Sequence, residues 1–208
     1  MFPTENATLL VATGNAHKTG EIRSLLQAHF ATFEDLRDHP GLPEPEETGL
    51  TFEENAIIKA LSASVALPGA IVLADDSGIE VDALGGAPGV RSARYSGPGA
   101  TDATNRAKLL ADLEVLGLRE AAPLARFRCV LAVARGGMIL ATFDGAIEGT
   151  LRASEGGDGG FGYDPLFQPE GCLVTFGEMP SDEKHALSHR GRALGKFKAW
   201  LENPPGAV

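Results

Sequence analysis

The stretch LADDSGIEVD, Leu73 to Asp82, decides how the chain is read. It continues an apolar run, Ala70 to Ala74, with the length and composition of a buried strand. The run ends in two adjacent carboxylates, Asp75 and Asp76, followed by Ser77 and Gly78. Desolvation and mutual repulsion both penalise acids at the end of a core strand, so the pair needs a chemical reason. Neighbouring residues of a strand point to opposite sides, so one acid of the pair faces any given side. Oxygen ligands beside a turn suit Mg2+, which keeps open positions for water and phosphate. An Asp-Ser-Gly turn, its acids capping backbone N–H groups, has the same composition.

Working outward, Thr8 to Ala12 reads as a first strand, closed by a turn at Thr13-Gly14-Asn15. A helix follows with Ile22, Leu25, Leu26 and Phe30 on one face, then a strand over 31–36 and a loop over 38–50 rich in Pro, Gly and Glu. Thr51 to Glu54 has capping-box spacing and opens a helix whose apolar face is Ile57, Ile58, Leu61 and Val65, ended by Pro68 and Gly69. Beyond Gly78 the expectation is a separate short strand over 79–83 and a long glycine-rich loop over 85–100. A helix begins at Thr101 with Leu109, Leu110, Leu113 and Leu116, and strands over 126–135 and 138–148 flank the hairpin signal Gly136-Gly137. A glycine-rich turn over 156–167 leads into a short strand, and a final helix spans Ser188 to Leu201. Strands mixed with helices, crossovers and one hairpin predict an α/β fold with a mixed sheet, as a single domain over 1–208.

Composition narrows the function. The chain has 208 residues, is 43% hydrophobic and 22% charged, and carries a net charge of −10. That charge argues against a nucleic-acid binder, whose affinity comes from neutralising phosphates with surface cations. A small polyanion held by a few local cations and a metal is compatible with it. No apolar run approaches the ~20 residues of a membrane span, and the N-terminal stretch lacks the basic region and cleavage site of a signal peptide. Cys129 and Cys172 lie far apart among apolar residues, without metal-ligand spacing, and read as reduced thiols of a cytoplasmic protein.

Four further segments carry chemistry. Thr13-Gly14-Asn15-Ala16-His17-Lys18 places a glycine turn and an N-cap at a helix start, where N–H groups and the dipole favour an anion. A capped helix with a solvated lysine would read the same. Thr51, Asn55 and Lys59 recur every four residues as a polar strip, with Glu46 and Glu47 just before them. A solvated face explains that pattern equally well. Phe161, Gly162, Tyr163 and Asp164 put aromatic rings among glycines, where a flat ligand can stack. Lys184, His189 and Arg190 supply donors around the last helix start.

In this order, TGNAHK, EETGLTFEENAIIKA, LADDSGIEVDALGGAPGVRSARYSG, GGFGYDPLF and SHRGRAL resemble the motif series of the inosine/xanthosine triphosphate pyrophosphatase family, over about residues 9 to 200. The resemblance implies an elongated mixed sheet flanked by helices, with two lobes and an active-site cleft between them, acting as a homodimer with Mg2+. It implies hydrolysis of ITP, dITP and XTP to monophosphate and pyrophosphate. By motif, Thr13 to Lys18 and Lys59 would hold the triphosphate. Asp76 would be the general base and a metal ligand, Glu46 the second metal acid, and Ser77 a substrate contact. Phe161 to Asp164, Lys184, His189 and Arg190 would line the nucleoside pocket. Cys172-Leu173-Val174, and His185 after Lys184, depart from the family pattern. Rival expectations are a pyrophosphatase for modified pyrimidine nucleotides and a nucleotide sensor without turnover.

Overall fold

The computed structural model describes residues 7–42 and 45–203, so two positions of the predicted 38–50 loop and the start of the N-terminal stretch lie outside the described residues. Among the described residues six strands form one mixed sheet in the order β2-β1-β3-β4-β5-β6. They are β1 (Thr8–Val11), β2 (Thr32–Asp35), β3 (Ile71–Val81), β4 (Leu124–Arg135), β5 (Met138–Leu151) and β6 (Phe167–Pro169). β1 pairs in parallel with β2 and β3, and β5 pairs antiparallel with β6. The helices are α1 (Ala16–Leu26), α2 (Phe52–Ala66), α3 (Asp102–Val115), α4 (Ser181–Leu187) and α5 (His189–Glu202). Among the described residues no helix is long and apolar enough to cross a membrane.

Two compact units are built on this chain. The first comprises residues 1–76, 129–145 and 190–208, and the second 77–128 and 146–189. In the first unit, Leu9, Val11, Ile71, Leu73, Cys129, Leu131 and Val133 alternate along β1, β3 and β4 onto one face. Ile22 and Leu26 of α1 and Ala193, Leu194, Phe197 and Leu201 of α5 cover that face. The core of the second unit gathers Ile79, Val81, Phe127, Ile147 and Leu151 from the strands with Leu109 and Leu113 of α3 and Tyr163, Phe167 and Phe176.

Three sequence expectations change. The turn after the acid pair does not form, because β3 runs unbroken from Ile71 to Val81. Gly78 continues the strand instead: a Cβ there would stand 2.3 Å from Ser92 Oγ and 2.6 Å from the Gly89 carbonyl, so only hydrogen fits. The Ile79 N–H donates to Ser92 Oγ, which ties the strand to a short 3-10 helix, Gly89–Arg94, within the expected loop. Second, α2 does not bury Ile57, Ile58, Leu61 and Val65. Phe52, Asn55, Ala56, Ala60, Ala63 and Ser64 are its buried residues, and Val65 is 67% exposed. Small side chains let the helix lie close to its neighbours, which brings Lys59 within reach of β3. Third, a separate short helix, α4, precedes the last one.

Candidate active site

In the first unit two ionic clusters stand on opposite sides of β3. Asp75 follows Ile71 and Leu73 on the face covered by α1 and α5, and is 1% exposed. Lys18 Nζ donates to its Oδ1 at 2.6 Å and Arg190 Nε to its Oδ2 at 2.8 Å. The Cys129 thiol adds a third donor, 3.2 Å from Oδ2. Burial alone would raise the Asp75 carboxyl, but the charges of Arg190 and Lys18 overturn this and hold it well below the usual range. Burial likewise opposes charge on Arg190, yet Asp75 and Glu21 keep its guanidinium firmly protonated. The Cys129 thiol is pushed up by burial and by the Asp75 charge.

Asp76 points the other way, toward α2. Its Oδ1 accepts from Lys59 Nζ at 2.7 Å, while Oδ2 is buried and has no hydrogen-bond partner among the described residues. Lys59 Nζ also donates to the Asp75 carbonyl at 2.8 Å and to Glu47 Oε1 at 3.1 Å. Burial raises the Asp76 carboxyl, and Lys59 only partly offsets it. Burial works against the Lys59 charge, but Asp76 and Glu47 more than restore it. Of the two loop acids, Glu47 joins this cluster through Lys59, whereas Glu46 is exposed. Ser77 is half-buried, one residue beyond.

The turn Thr13 to Lys18 stands at the start of α1. Asn15 is the N-cap, its Oδ1 accepting from the N–H groups of His17 at 2.9 Å and Lys18 at 3.3 Å. Gly14, Ala16 and His17 are exposed, and Thr13 accepts the Asn15 N–H at 3.1 Å. The anion-binding face predicted there thus shares two donors with its own cap.

The second unit holds the other predicted residues. Asp164 is 3% exposed, and its Oδ2 accepts from the Phe161 N–H and from Lys184 Nζ, both at 2.7 Å. Lys184 Nζ stands 4.8 Å from the Phe161 ring centroid, a cation–π contact. Gly160 has φ +70°, and a Cβ there would lie 2.2 Å from Asp164 Oδ2, so the loop closes only around glycine. Gly162 donates its N–H to Asp102 and its carbonyl accepts from Arg106. Tyr163 is a core residue whose hydroxyl donates to the Ser92 carbonyl at 2.9 Å. Of the two aromatic rings expected to stack, only Phe161 is half-exposed. The His189 ring stacks on Phe127 at 4.8 Å with 9° between planes.

The geometry adds Glu21, which the sequence did not single out, and gives new places to three residues it did: Asp75 and Cys129 join Arg190, and Glu47 stands beside Lys59. Glu21 alone carries no sequence signal, because its tie to Arg190 spans most of the chain. Arg190, grouped with nucleoside-pocket residues on motif alone, turns its guanidinium onto Asp75 and Glu21 and is 2% exposed. Among the described residues no group of three or more His, Cys, Asp or Glu is arranged as a metal cage. Mg2+ does not require one, since it binds through one or two carboxylates with water and substrate phosphates. The unpartnered buried oxygen of Asp76, a hard ligand, fits such a site.

Comparison with known proteins finds relatives over most of the chain. A dITP/XTP pyrophosphatase of Geobacter sulfurreducens is 48% identical over 193 residues, 93% of this chain and 96% of the relative. One from Exiguobacterium is also 48% identical over 193 residues, with the same shares of the two chains. The structure of a HAM1 protein from Coxiella burnetii superposes with TM-score 0.84 at 38% identity, covering 94% of this chain and 98% of that one. The Staphylococcus aureus Ham1 protein gives TM-score 0.81 at 35% identity, with the same coverage. The Ham1 family model matches residues 9–200, and this chain belongs to that family.

Proposed function

We propose that this protein hydrolyses non-standard purine nucleoside triphosphates, dITP, ITP and XTP, to the monophosphate and pyrophosphate, and so clears them from the nucleotide pool. The observation that carries the reading is Asp76: a buried carboxylate raised above its ordinary range, with one oxygen held by Lys59 and the other unpartnered. A carboxylate left in this state beside cations is suited to hold a metal or take a proton. The names of the relatives point to the same chemistry.

Asp76, with an acid from the 45–50 segment, Glu46 or Glu47, would hold Mg2+. Bound there, the ion supplies charge neutralisation on the phosphates and lowers the cost of presenting water to them. Asp76 accepts the proton of a water attacking the α-phosphorus in line. Thr13 to Lys18 receive the phosphates at the start of α1, with Lys18 held in place by Asp75. Lys59 offsets the charge that grows on departing pyrophosphate, and Ser77 contacts the substrate. Phe161 stacks on the base, its loop set by Gly162, Tyr163, Asp164 and Lys184. His189 and neighbouring N–H groups offer donors to the C6 oxygen of hypoxanthine or xanthine, and Arg190 anchors Asp75. An adenine amine would face those donors without a partner, a mismatch that discriminates by ~10⁴ or more in favourable cases. Homodimer assembly and a cytoplasmic location complete the reading, and sedimentation at micromolar protein checks the first.

Product analysis tests the function. The protein is incubated with dITP, XTP, dGTP and dATP, with and without Mg2+. Monophosphate and pyrophosphate from dITP and XTP, only with metal, are expected. Diphosphate and orthophosphate would place attack at the γ-phosphorus and overturn the assignment. Equal turnover of dATP and dITP would overturn the donor account of selectivity, and tight dITP binding without turnover would leave a sensor.

A further inference from the structure

The segment before α2 carries Glu46 and Glu47, and it is tied to the helix by three successive backbone donors. The Gly49 N–H donates to Asn55 Oδ1 at 2.8 Å. The Leu50 and Thr51 N–H groups donate to Glu54 Oε2 at 2.7 and 3.1 Å. Glu54 is exposed and belongs to an ordinary capping box, whereas Asn55 is 0% exposed. Its Nδ2 has no hydrogen-bond partner among the described residues. Burying an amide with its N–H₂ unpaired is costly, so the position is not explained by packing. An alanine would remove that cost but would leave the Gly49 N–H without its acceptor.

What the amide supplies is a neutral acceptor for Gly49. An aspartate would supply the same acceptor, but as a further buried negative charge on the helix face where Lys59 already carries Glu47 and Asp76. The contact is tight from the other side too: a Cβ on Gly49 would stand 2.6 Å from Asn55 Oδ1 and 2.7 Å from Glu54 Cβ. One helical turn beyond Asn55, Lys59 binds both Glu47 and Asp76. The loop acid and the strand acid therefore meet on one helix face, and Asn55 fixes the loop to that face.

We propose that Asn55 is a positioning residue for cation binding: through the Gly49 N–H it holds the carboxylate-bearing 45–50 segment against α2, so that Glu47 stays beside Lys59 and Asp76. This rests on the reading that Asp76 and a loop acid hold the metal.

The test uses Mn2+ alone as the probe, titrated into the full-length protein and followed by electron paramagnetic resonance. Hydrogen exchange at residues 49–51 and within α2 is read in parallel. Asn55→Ala and Gly49→Ala break the same bond from its two ends. Each is expected to weaken Mn2+ binding by about 10- to 100-fold, the range for residues that orient metal ligands. Exchange should rise at Gly49 and stay slow inside α2. The double variant should lose less affinity than the sum of the two single losses, because both changes remove the Gly49–Asn55 bond. Asn55→Asp, which keeps the acceptor, should keep Gly49 protected. If Asn55→Ala does not fold, Gly49→Ala, a change outside the helix, carries the test alone. Unchanged Mn2+ affinity with Gly49 deprotected would overturn the proposal, as would fully additive losses. Wild-type protein that binds no Mn2+ would overturn the metal reading itself, and this proposal with it.

Discussion

The two faces of β3 treat the same side chain in opposite ways. On one, Asp75 is enclosed and receives Lys18, Arg190 and the Cys129 thiol. On the other, Asp76 shares Lys59 with Glu47 and keeps one oxygen without a partner. Opposite charge holds the first carboxyl far below its ordinary range, and burial raises the second. Satisfying every lone pair makes a structural carboxylate; leaving one unsatisfied makes a reactive one. On the proposed reading, Asp75 holds Lys18 and Arg190 in place and Asp76 is left for chemistry.

Removing the reactive carboxylate should have the largest effect. Asp76→Asn keeps the shape and an acceptor for Lys59 but loses the base, so kcat for dITP should fall by ~10² to 10⁴. Steady-state kinetics at saturating Mg2+ measure it, and wild-type turnover would end the distinction between the faces. Stability should move the other way. A carboxyl raised in the folded state destabilises once ionised, so the variant should match or exceed wild type at pH 7. That advantage should disappear as the pH falls toward the unfolded carboxylate value of about 4.

Asp75→Asn should instead damage the fold. It strips Lys18 and Arg190 of their buried partner, a change that costs about 3–5 kcal/mol in comparable cases. Urea unfolding reads it. Because the folded carboxyl is depressed, its stabilisation is complete above about pH 4 and is lost as the pH falls through the lower folded value. The gap between wild type and variant should therefore be full at pH 7 and narrower at pH 3. A gap that widens in acid would contradict the paired state of Asp75.

How much of this was legible in the sequence depends on the range of the forces involved. The strands around Gly136-Gly137, the cap at Thr51 and the helix start at Thr101 are local devices, written in adjacent residues, and they stand where expected. The break after Asp76 was misread because Asp-Ser-Gly has turn composition. What ties the strand beyond Gly78 is the Ile79 N–H on Ser92 Oγ, a contact thirteen residues away that no local rule reports. The buried face of α2 was misread for a similar reason: its large apolar residues look like a core, yet the helix packs through alanines. Asp76 and Lys59 were both legible as candidates, but their pairing was not. Arg190 was placed by motif order, which carries no information on where a guanidinium turns.

The contact at Gly78 offers a smaller test. Gly78→Ala would press a methyl against Ser92 Oγ and the Gly89 carbonyl. Overpacking of this kind costs about 1–3 kcal/mol. If the chain instead turned away after Asp76, as Asp-Ser-Gly composition suggests, alanine would be tolerated at Gly78. Urea unfolding of the variant distinguishes the cases.

Cys129→Ala should give the smallest effect and sharpens the comparison most narrowly. The thiol donates to Asp75 Oδ2 from a fully buried position on β4. Alanine leaves Asp75 with Lys18 and Arg190 but takes away its third donor, worth about 1 kcal/mol for an ordinary hydrogen bond. If that donor helps hold the carboxyl down, the variant should also begin to lose stability at a slightly higher pH than wild type. Equal acid midpoints, with a loss at pH 7 no greater than an alanine-sized cavity explains, would mean that the two cations alone saturate Asp75. The thiol would then be packing, and the contrast between the faces of β3 would rest on charge and not on the count of donors.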